Sequence, residues 1–412
     1  MNTPWMAFAL VSFVAPSVLA LESAGEAMMR QEAYKPLNIK AGSFLVAPAV
    51  DAEVMYNDNI FASETNEKSD FVTTVRPSVA VKSNWNRHAL NARAILEQND
   101  YADNNDESHT NAFAGVDGKV DVLRGTALGG GVSWQRAHEE RTSPNSASAS
   151  DKPIPYEVLT ATAGAYRDVG LVNARFDTRV EAYDYDNTYT RTGGLLNNDG
   201  RDRNEFTQTL RLGYKAGAHN EIFIKADLNT RAYDHKGAGA NINRSSHGRR
   251  VVAGYRFDIT GKTAGDIYAG LMNRRYVDPA FNDIGNTLTY GGNVQWNASG
   301  LTTLKARTNR SIEETTTAAT SGYVATTYSV SAEHAVRRNV LMEGNMAYET
   351  NDYESTAVAR KDTLYTAGLG ATYLINRNLK AKLAYDFTRR DSNVAGGDYD
   401  RNRVMVVFSA AF

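Results

Sequence analysis

From Gly42 to the carboxyl end, polarity alternates residue by residue in segments of twelve or more, a period that only extended strands produce. In 222–233, Ile222, Ile224, Ala226, Leu228 and Ala232 fall on one face, and Phe223, Lys225, Asp227, Asn229 and Arg231 on the other. The division recurs in 172–183, where Val172, Ala174, Phe176, Val180 and Ala182 oppose Arg175, Asp177, Arg179 and Glu181. It recurs again in 379–390, with Leu379, Ala381, Leu383, Tyr385 and Phe387 against Lys380, Lys382, Asp386 and Arg390. Strands of a soluble sandwich alternate too, but typically run about 5–6 residues, whereas a tilted strand crossing a bilayer needs about 9–11. The length selects an all-β chain folded as a transmembrane antiparallel barrel, with its ionic face turned to a lumen.

Connections alternate in length. Tight turns rich in Asn and Gly are expected near Asn84–Arg87, Arg124–Gly125, Asp168–Gly170, Ala216–His219, Thr260–Lys262, Asn297–Gly300, Arg337–Asn339 and Asn376–Asn378. Longer polar loops lie around 57–69, 101–108, 139–153, 187–201, 234–245, 277–285, 313–321, 353–360 and 391–399. These connections predict about 18 strands over residues 42–412, or roughly 20 residues for each strand with its connection. An even number puts both ends on one side, and outer-membrane barrels keep their short turns in the periplasm, so both termini are expected there. An open sheet edge in hydrocarbon would leave backbone groups unpaired, so 43–56 must close on 400–412. Eighteen strands about 4.8 Å apart and tilted about 40° give a backbone diameter on the order of 35 Å. Side chains cannot fill that width, which leaves a lumen holding water, a plug or a passing solute.

The amino terminus reads as an address. Residues 5–20 form an apolar core ending in small residues, with Val18 and Ala20 placed for a cut before Leu21. The basic residues that usually precede such a core are missing, since none occurs before Arg30. The expected division is therefore a signal peptide at 1–20, a short periplasmic tail at 21–41, and the barrel from 42 to 412. No apolar run of eighteen residues follows, which excludes a helical membrane protein. The absence of cysteine removes disulfides, thiolate metal sites and a cysteine nucleophile. Forty-five basic against 47 acidic residues offer no field for nucleic acid.

The ionic face is the candidate functional surface. Its pore-lining residues are Arg175, Asp177, Arg179, Glu181, Arg211, Lys225, Asp227, Arg231, Arg256, Lys305, Arg307, Lys380, Lys382 and Asp386, with Asp51, Glu53, Arg76, Arg250 and Arg390 among others on the same face. Both signs interleave. A strongly anion-selective pore would need cations without carboxylates, so this wall suits a hydrated, weakly charged solute, or serves to brace neighbouring strands through ion pairs. Tyr56, Trp85, Trp134, Tyr166, Tyr214, Trp296, Tyr348, Tyr373 and Tyr385 sit at segment ends, as interface girdles do. In the last strand, Val404, Val406, Phe408, Ala410 and Phe412 face outward, and Phe408 with Phe412 resembles the terminal signature read by the barrel assembly machinery.

Other chemistry is sparse. His138, Glu139 and Glu140 lack the converging ligands that a zinc site needs. Gly261-Lys-Thr263 lacks the upstream glycine of a phosphate loop and reads as a turn. The clusters Asp100, Asp103, Asp106, Glu107 and Asp184, Asp186, Asn198, Asp199 are solvated loops that could bridge lipopolysaccharide phosphates through divalent cations. No catalytic, cofactor or metal site is expected, and no enzyme.

Gly42–Pro48, Val54–Phe61, Lys68–Phe71, Arg76–Ser78, Ser83–His88 and His138–Pro144 together resemble the outer-membrane β-barrel porin family associated with bacterial exopolysaccharide biosynthesis and export clusters. The resemblance implies a wide barrel acting as the outer-membrane portal for a secreted polysaccharide, with a periplasmic polysaccharide-export protein as partner. Lipopolysaccharide and outer-membrane lipid would surround it, and the short-turn cations Arg87, Arg124, Lys262, Arg337 and Arg338 would face the partner. Two other readings remain open on the residues alone. An uptake porin would carry a long loop folded into the lumen, for which 139–153 and 187–201 are the candidates. A structural or adhesive barrel would have its lumen plugged.

Overall fold

The computed structural model describes residues 21–31, 33–146, 150–235, 242–317, 320–355 and 359–412. The leader read over 1–20 lies outside the described residues. Eighteen antiparallel strands form one closed ring: β1 (Phe44–Asn57), β2 (Asp70–Ser83), β3 (Ala89–Tyr101), β4 (His109–Leu123), β5 (Thr126–His138), β6 (Pro155–Val169), β7 (Val172–Tyr185), β8 (Arg203–Lys215) and β9 (Glu221–Tyr233), followed by β10 (Ser246–Ile259), β11 (Thr263–Tyr276), β12 (Ile284–Ser299), β13 (Thr302–Glu314), β14 (Thr320–Arg337), β15 (Val340–Ser355), β16 (Lys361–Leu374), β17 (Leu379–Ser392) and β18 (Tyr399–Ala411). Each strand pairs with the next in sequence, and β1 closes on β18 from Ala49↔Ala411 to Asn57↔Arg403.

Burial is inverted relative to a soluble protein. On β9, Ile222, Ile224 and Leu228 are 53%, 58% and 52% exposed, while Glu221 and Asp227 are buried. An apolar exterior of this extent requires hydrocarbon around it. Register makes it continuous: Ile224 stands opposite Leu212 on β8 and Ala253 on β10. The short turns are tight enough to need particular residues. Between β5 and its neighbour β4, Gly125 takes φ 72°, and a Cβ there would lie 2.6 Å from the Asp168 carbonyl oxygen.

Tyr56, Trp85, Trp134, Tyr214, Trp296 and Tyr373 are exposed on the outer face towards the strand ends, whereas Tyr348 and Tyr385, expected at segment ends, are exposed on the same face in the middle of β15 and β17. Tyr166 is not a girdle residue. It is opposite Arg175, faces the lumen, is 7% exposed, and donates its hydroxyl to Asp168 at 3.3 Å. Its parity along β6, not its residue type, decides its side.

Ahead of the barrel, α1 (Ala24–Met29) lies inside the short-turn mouth. Ser23 and Glu26 close a reciprocal capping box at its start. The Ala24 amide donates to Thr303 Oγ1 at 2.8 Å and the Gly25 amide to Glu333 Oε2 at 3.1 Å, while Asn297 Nδ2 donates to the Glu22 carbonyl at 2.8 Å. Met28 packs on Ala335, Leu341, Leu374 and Tyr34. Residues 33–41 then return to the rim, where Ile39–Ala41 pairs with the foot of β1.

Candidate functional site

The site is the lumen, and its wall follows from strand parity. Arg175 forks onto Asp177 two residues along β7, at 2.6 and 3.0 Å, and Arg179 meets Glu181 at 3.3 Å. On β9, Lys225 meets Asp227 at 3.4 Å; across strands, Asp227 holds Arg250 at 2.7 Å, and Glu221 holds Arg211 and, at 3.8 Å, Arg256. On the other side, Lys305 pairs with Glu333 at 2.6 Å, Lys382 with Glu343 at 2.7 Å, and Asp386 with Arg403 at 3.4 Å. Arg231 pairs with Glu205 at 3.0 Å and with Glu314. Of the fourteen pore-lining residues named from sequence, only Arg307 and Lys380 stand exposed in the lumen without an ion pair among the described residues. Pairs two residues apart on one strand or opposite on the next brace the wall, and they leave little unbalanced charge to select ions.

After β5 the chain from Glu139 to Ser146 reaches into this lumen and meets a connection from its far side. Asn145 donates its Nδ2 to the Glu314 carbonyl at 3.3 Å, and its Oδ1 and carbonyl accept from Thr316 N at 3.0 Å and Thr316 Oγ1 at 3.2 Å. Glu314 ends β13 and Thr316 opens the β13–β14 connection, eight strand positions away round an eighteen-strand ring. Seven extended residues from His138 reach about 25 Å at most, so the β13–β14 connection must lean inward to meet Asn145. Glu314 marks that lean, since it bonds Arg231 and accepts from the Tyr233 hydroxyl at 2.8 Å, both on β9.

The crossing is fastened along its length. Arg141 forks onto Glu107 at 3.0 and 2.6 Å with both side chains buried. Arg201, from the β7–β8 connection, forks onto Glu139 at 3.0 and 2.8 Å. Burial opposes the Arg201 charge, but the Glu139 carboxylate outweighs it and holds the guanidinium above its ordinary range. Phe61, from the β1–β2 connection, receives the guanidinium of Arg191 at 4.6 Å and that of Arg141 at 5.7 Å from its ring centre. The crossing leaves a cavity of about 420 Å³ against β1–β4 and β16–β18, which Lys382, Asp386, Arg401 and Arg403 help to line. Another, of about 620 Å³, lies against β3–β11, where Arg175, Asp177, Arg179, Arg211, Lys225 and Arg256 converge.

The family model described as "Putative beta-barrel porin 2" matches residues 32–412. The chain belongs to this porin family. No curated protein matches it. Solved structures to which it is similar include OpdK of Pseudomonas aeruginosa with vanillate, at 10% identity over 89% of this chain and 99% of that one, TM-score 0.44. A BenF-like porin of Pseudomonas fluorescens is similar at 10% identity over 89% and 99%, TM-score 0.48. A ferric enterobactin receptor mutant of Pseudomonas aeruginosa is similar at 9% identity over 91% and 81%, TM-score 0.47.

The protein is thus an outer-membrane β-barrel of porin type, a channel architecture. The residues weighed for metal chemistry are otherwise engaged: His138 bonds Asn111 at 3.0 Å and Glu139 is held by Arg201. No cluster of three metal-ligating side chains occurs among the described residues. Of the acidic loop clusters, Glu107 is buried under Arg141 and Asp186 pairs with Arg136 at 2.8 Å. Phe408 and Phe412 are exposed on the outer face, 58% and 55%.

Some lumenal residues were missed from sequence. Arg401 and Arg403 face inward on β18, and extending the alternation of Val404, Val406 and Phe408 by one position would have found them. Arg203 shares the parity of Glu205 and Arg211 and could have been found the same way, whereas Glu314 and Arg141 carry no such signal, because their partners lie on β9 and on the β3–β4 connection.

Proposed function

We propose that this porin takes up small polar solutes by diffusion, with both termini periplasmic and the long loops at the cell surface. The observation that carries the reading is the 139–146 segment, bonded inside the lumen to the β13–β14 corner from its far side. A portal for a polymer needs one continuous wide passage, and a segment crossing the lumen divides that passage. The helix α1 narrows the other mouth in addition. Solutes would pass through the two lumenal cavities, and a wall of internally neutralised pairs would let them leave as readily as they enter. The exopolysaccharide portal implied by the sequence resemblance draws no support from this geometry.

The test is single-channel conductance in planar bilayers. Replacing residues 141–152 by a short Gly-Ser linker should raise unitary conductance several-fold while the barrel stays folded. Unchanged conductance would remove the constriction from the reading. In cells, loss of surface polysaccharide on deletion of the gene would reinstate export and discard uptake.

A further inference from the structure

On the outer surface, cations at the long-loop edge of the apolar belt are neutralised by acids nearly all the way round. Arg136 meets Glu157 at 2.6 Å and Asp186 at 2.8 Å, Arg389 meets Asp391 at 2.7 Å, and Lys361 meets Asp352 at 3.5 Å. The stretch over β10 and β11 departs from this. Arg249 and Arg275 are exposed there, and neither makes an ion pair or hydrogen bond among the described residues.

Register fixes their placement. Arg249 stands opposite Leu228 on β9 and Asn273 on β11, and Arg275 stands opposite His247. The two arginines are therefore diagonal neighbours on one face, about 7–8 Å apart at the backbone. Leu228, Val251 and Leu271 lie towards the belt, Thr230, Asn273 and Asn286 are further neighbours, and the one carboxylate beside Arg275, that of Asp283, makes no ion pair with it among the described residues and accepts from the Tyr276 amide at 2.9 Å. The next arginine on this face, Arg310, spends its donors on the Leu288 carbonyl at 3.1 Å and on Thr326 Oγ1. At the edge of an apolar belt the surrounding medium is the lipid headgroup layer.

We propose that Arg249 and Arg275, with His247, form a docking site for a glycolipid of the outer leaflet that carries two phosphates. The proposal rests on the orientation given above, which puts this edge in that leaflet. Two unpaired guanidiniums within one headgroup's width repel each other unless an anion bridges them, and each fork matches phosphate oxygens bidentately. A headgroup with a single phosphate neutralises one of them; a bisphosphorylated sugar headgroup neutralises both. The paired cations elsewhere on the rim have no such vacancy in their charge.

Native mass spectrometry of the purified full barrel tests this, with bisphosphorylated lipid A, its dephosphorylated form and phosphatidylglycerol as separate probes. Arg249→Ala with Arg275→Ala should lower retention of bisphosphorylated lipid A by about tenfold or more, as expected for loss of charge-assisted contacts. Arg249→Lys with Arg275→Lys should retain part of it, and Arg136→Ala, whose charge is already paired, should leave it unchanged. Dephosphorylated lipid A should bind the wild type no better than bisphosphorylated lipid A binds the alanine variant. Equal retention by wild type and the alanine variant overturns the site, and equally strong retention of phosphatidylglycerol overturns the choice of lipid. Surface labelling of Asn197→Cys on intact cells separates the premises: unlabelled cells overturn the orientation, whereas labelled cells with no phosphate dependence overturn the site alone.

Discussion

The lipid-facing belt makes a prediction that depends on depth and not merely on side. Ile224 faces outward on β9, opposite Leu212 and Ala253. Four residues further along the same face, Leu228 stands beside Arg249, the first charged residue above the belt. A rise of about 3.3 Å per residue at a tilt of about 40° places Ile224 about 10 Å beneath that level. The apolar band of such barrels is about 25 Å tall, so Ile224 lies near its middle, where an arginine costs about 2–4 kcal/mol. Ile224→Arg should therefore lower stability by about 3 kcal/mol, a shift of roughly a hundredfold in the unfolding equilibrium. Thr230→Arg faces the same way, beside His247 and above Arg249, and should cost about 0–1 kcal/mol. Guanidinium unfolding in lipid vesicles, followed by the fluorescence of the barrel's Trp85, Trp134 and Trp296, measures both. Equal losses at the two sites would refute the depth assignment, and a loss below about 1 kcal/mol at Ile224 would refute its exposure to hydrocarbon.

Other consequences can be checked in parallel. Gly25→Leu puts a side chain where a Cβ already meets Glu333 Oε2 at 2.9 Å, so α1 should leave its seat and unitary conductance should rise in a barrel of unchanged thermal stability. Arg307→Glu with Lys380→Glu should move selectivity towards cations more than Arg175→Gln does, because Arg175 is already paired; reversal potentials in a salt gradient decide. For orientation, Asn197→Cys should react with an impermeant maleimide on intact cells and Gly261→Cys should not, whereas Asn145, engaged with Glu314 and Thr316, should react slowly at either surface.

How much the chain reveals before folding depends on whether a property is local to one strand. Side is local: parity alone assigns Arg175, Lys225 and Asp227 to the lumen and Ile224 and Leu228 to the exterior, and the eighteen strands follow from the spacing of turns. Tyr166 shows how this fails when residue type is read in place of parity. Partners are not local. Asn229 reads as one polar lumenal side chain among many, yet it accepts from Arg274 Nη2 at 2.6 Å and donates to Thr207 at 2.8 Å, so a substitution there breaks contacts made with β11 and β8.

The crossing segment is the extreme case of that distinction. Asn145 and Thr316 are 171 residues apart, and their hydrogen bond exists only because the ring closes and sets the two connections facing one another. Sequence supplies the length of the 139–154 connection but no period within it, so its destination is invisible there. Closure nonetheless limits the choices. A ring about 35 Å wide leaves an interior that its own side chains do not fill, and a long connection carrying Glu139 and Arg141 either stays in water or enters that interior with its charges matched. Glu107 and Arg201 supply the match, each from a neighbouring connection, and both pairs are largely shielded from solvent. Removing one partner of such a pair strands the other charge, at about 3–5 kcal/mol. The constriction is thus held by pairs between connections, which is why its residues can differ from the strands in everything that alternation makes legible.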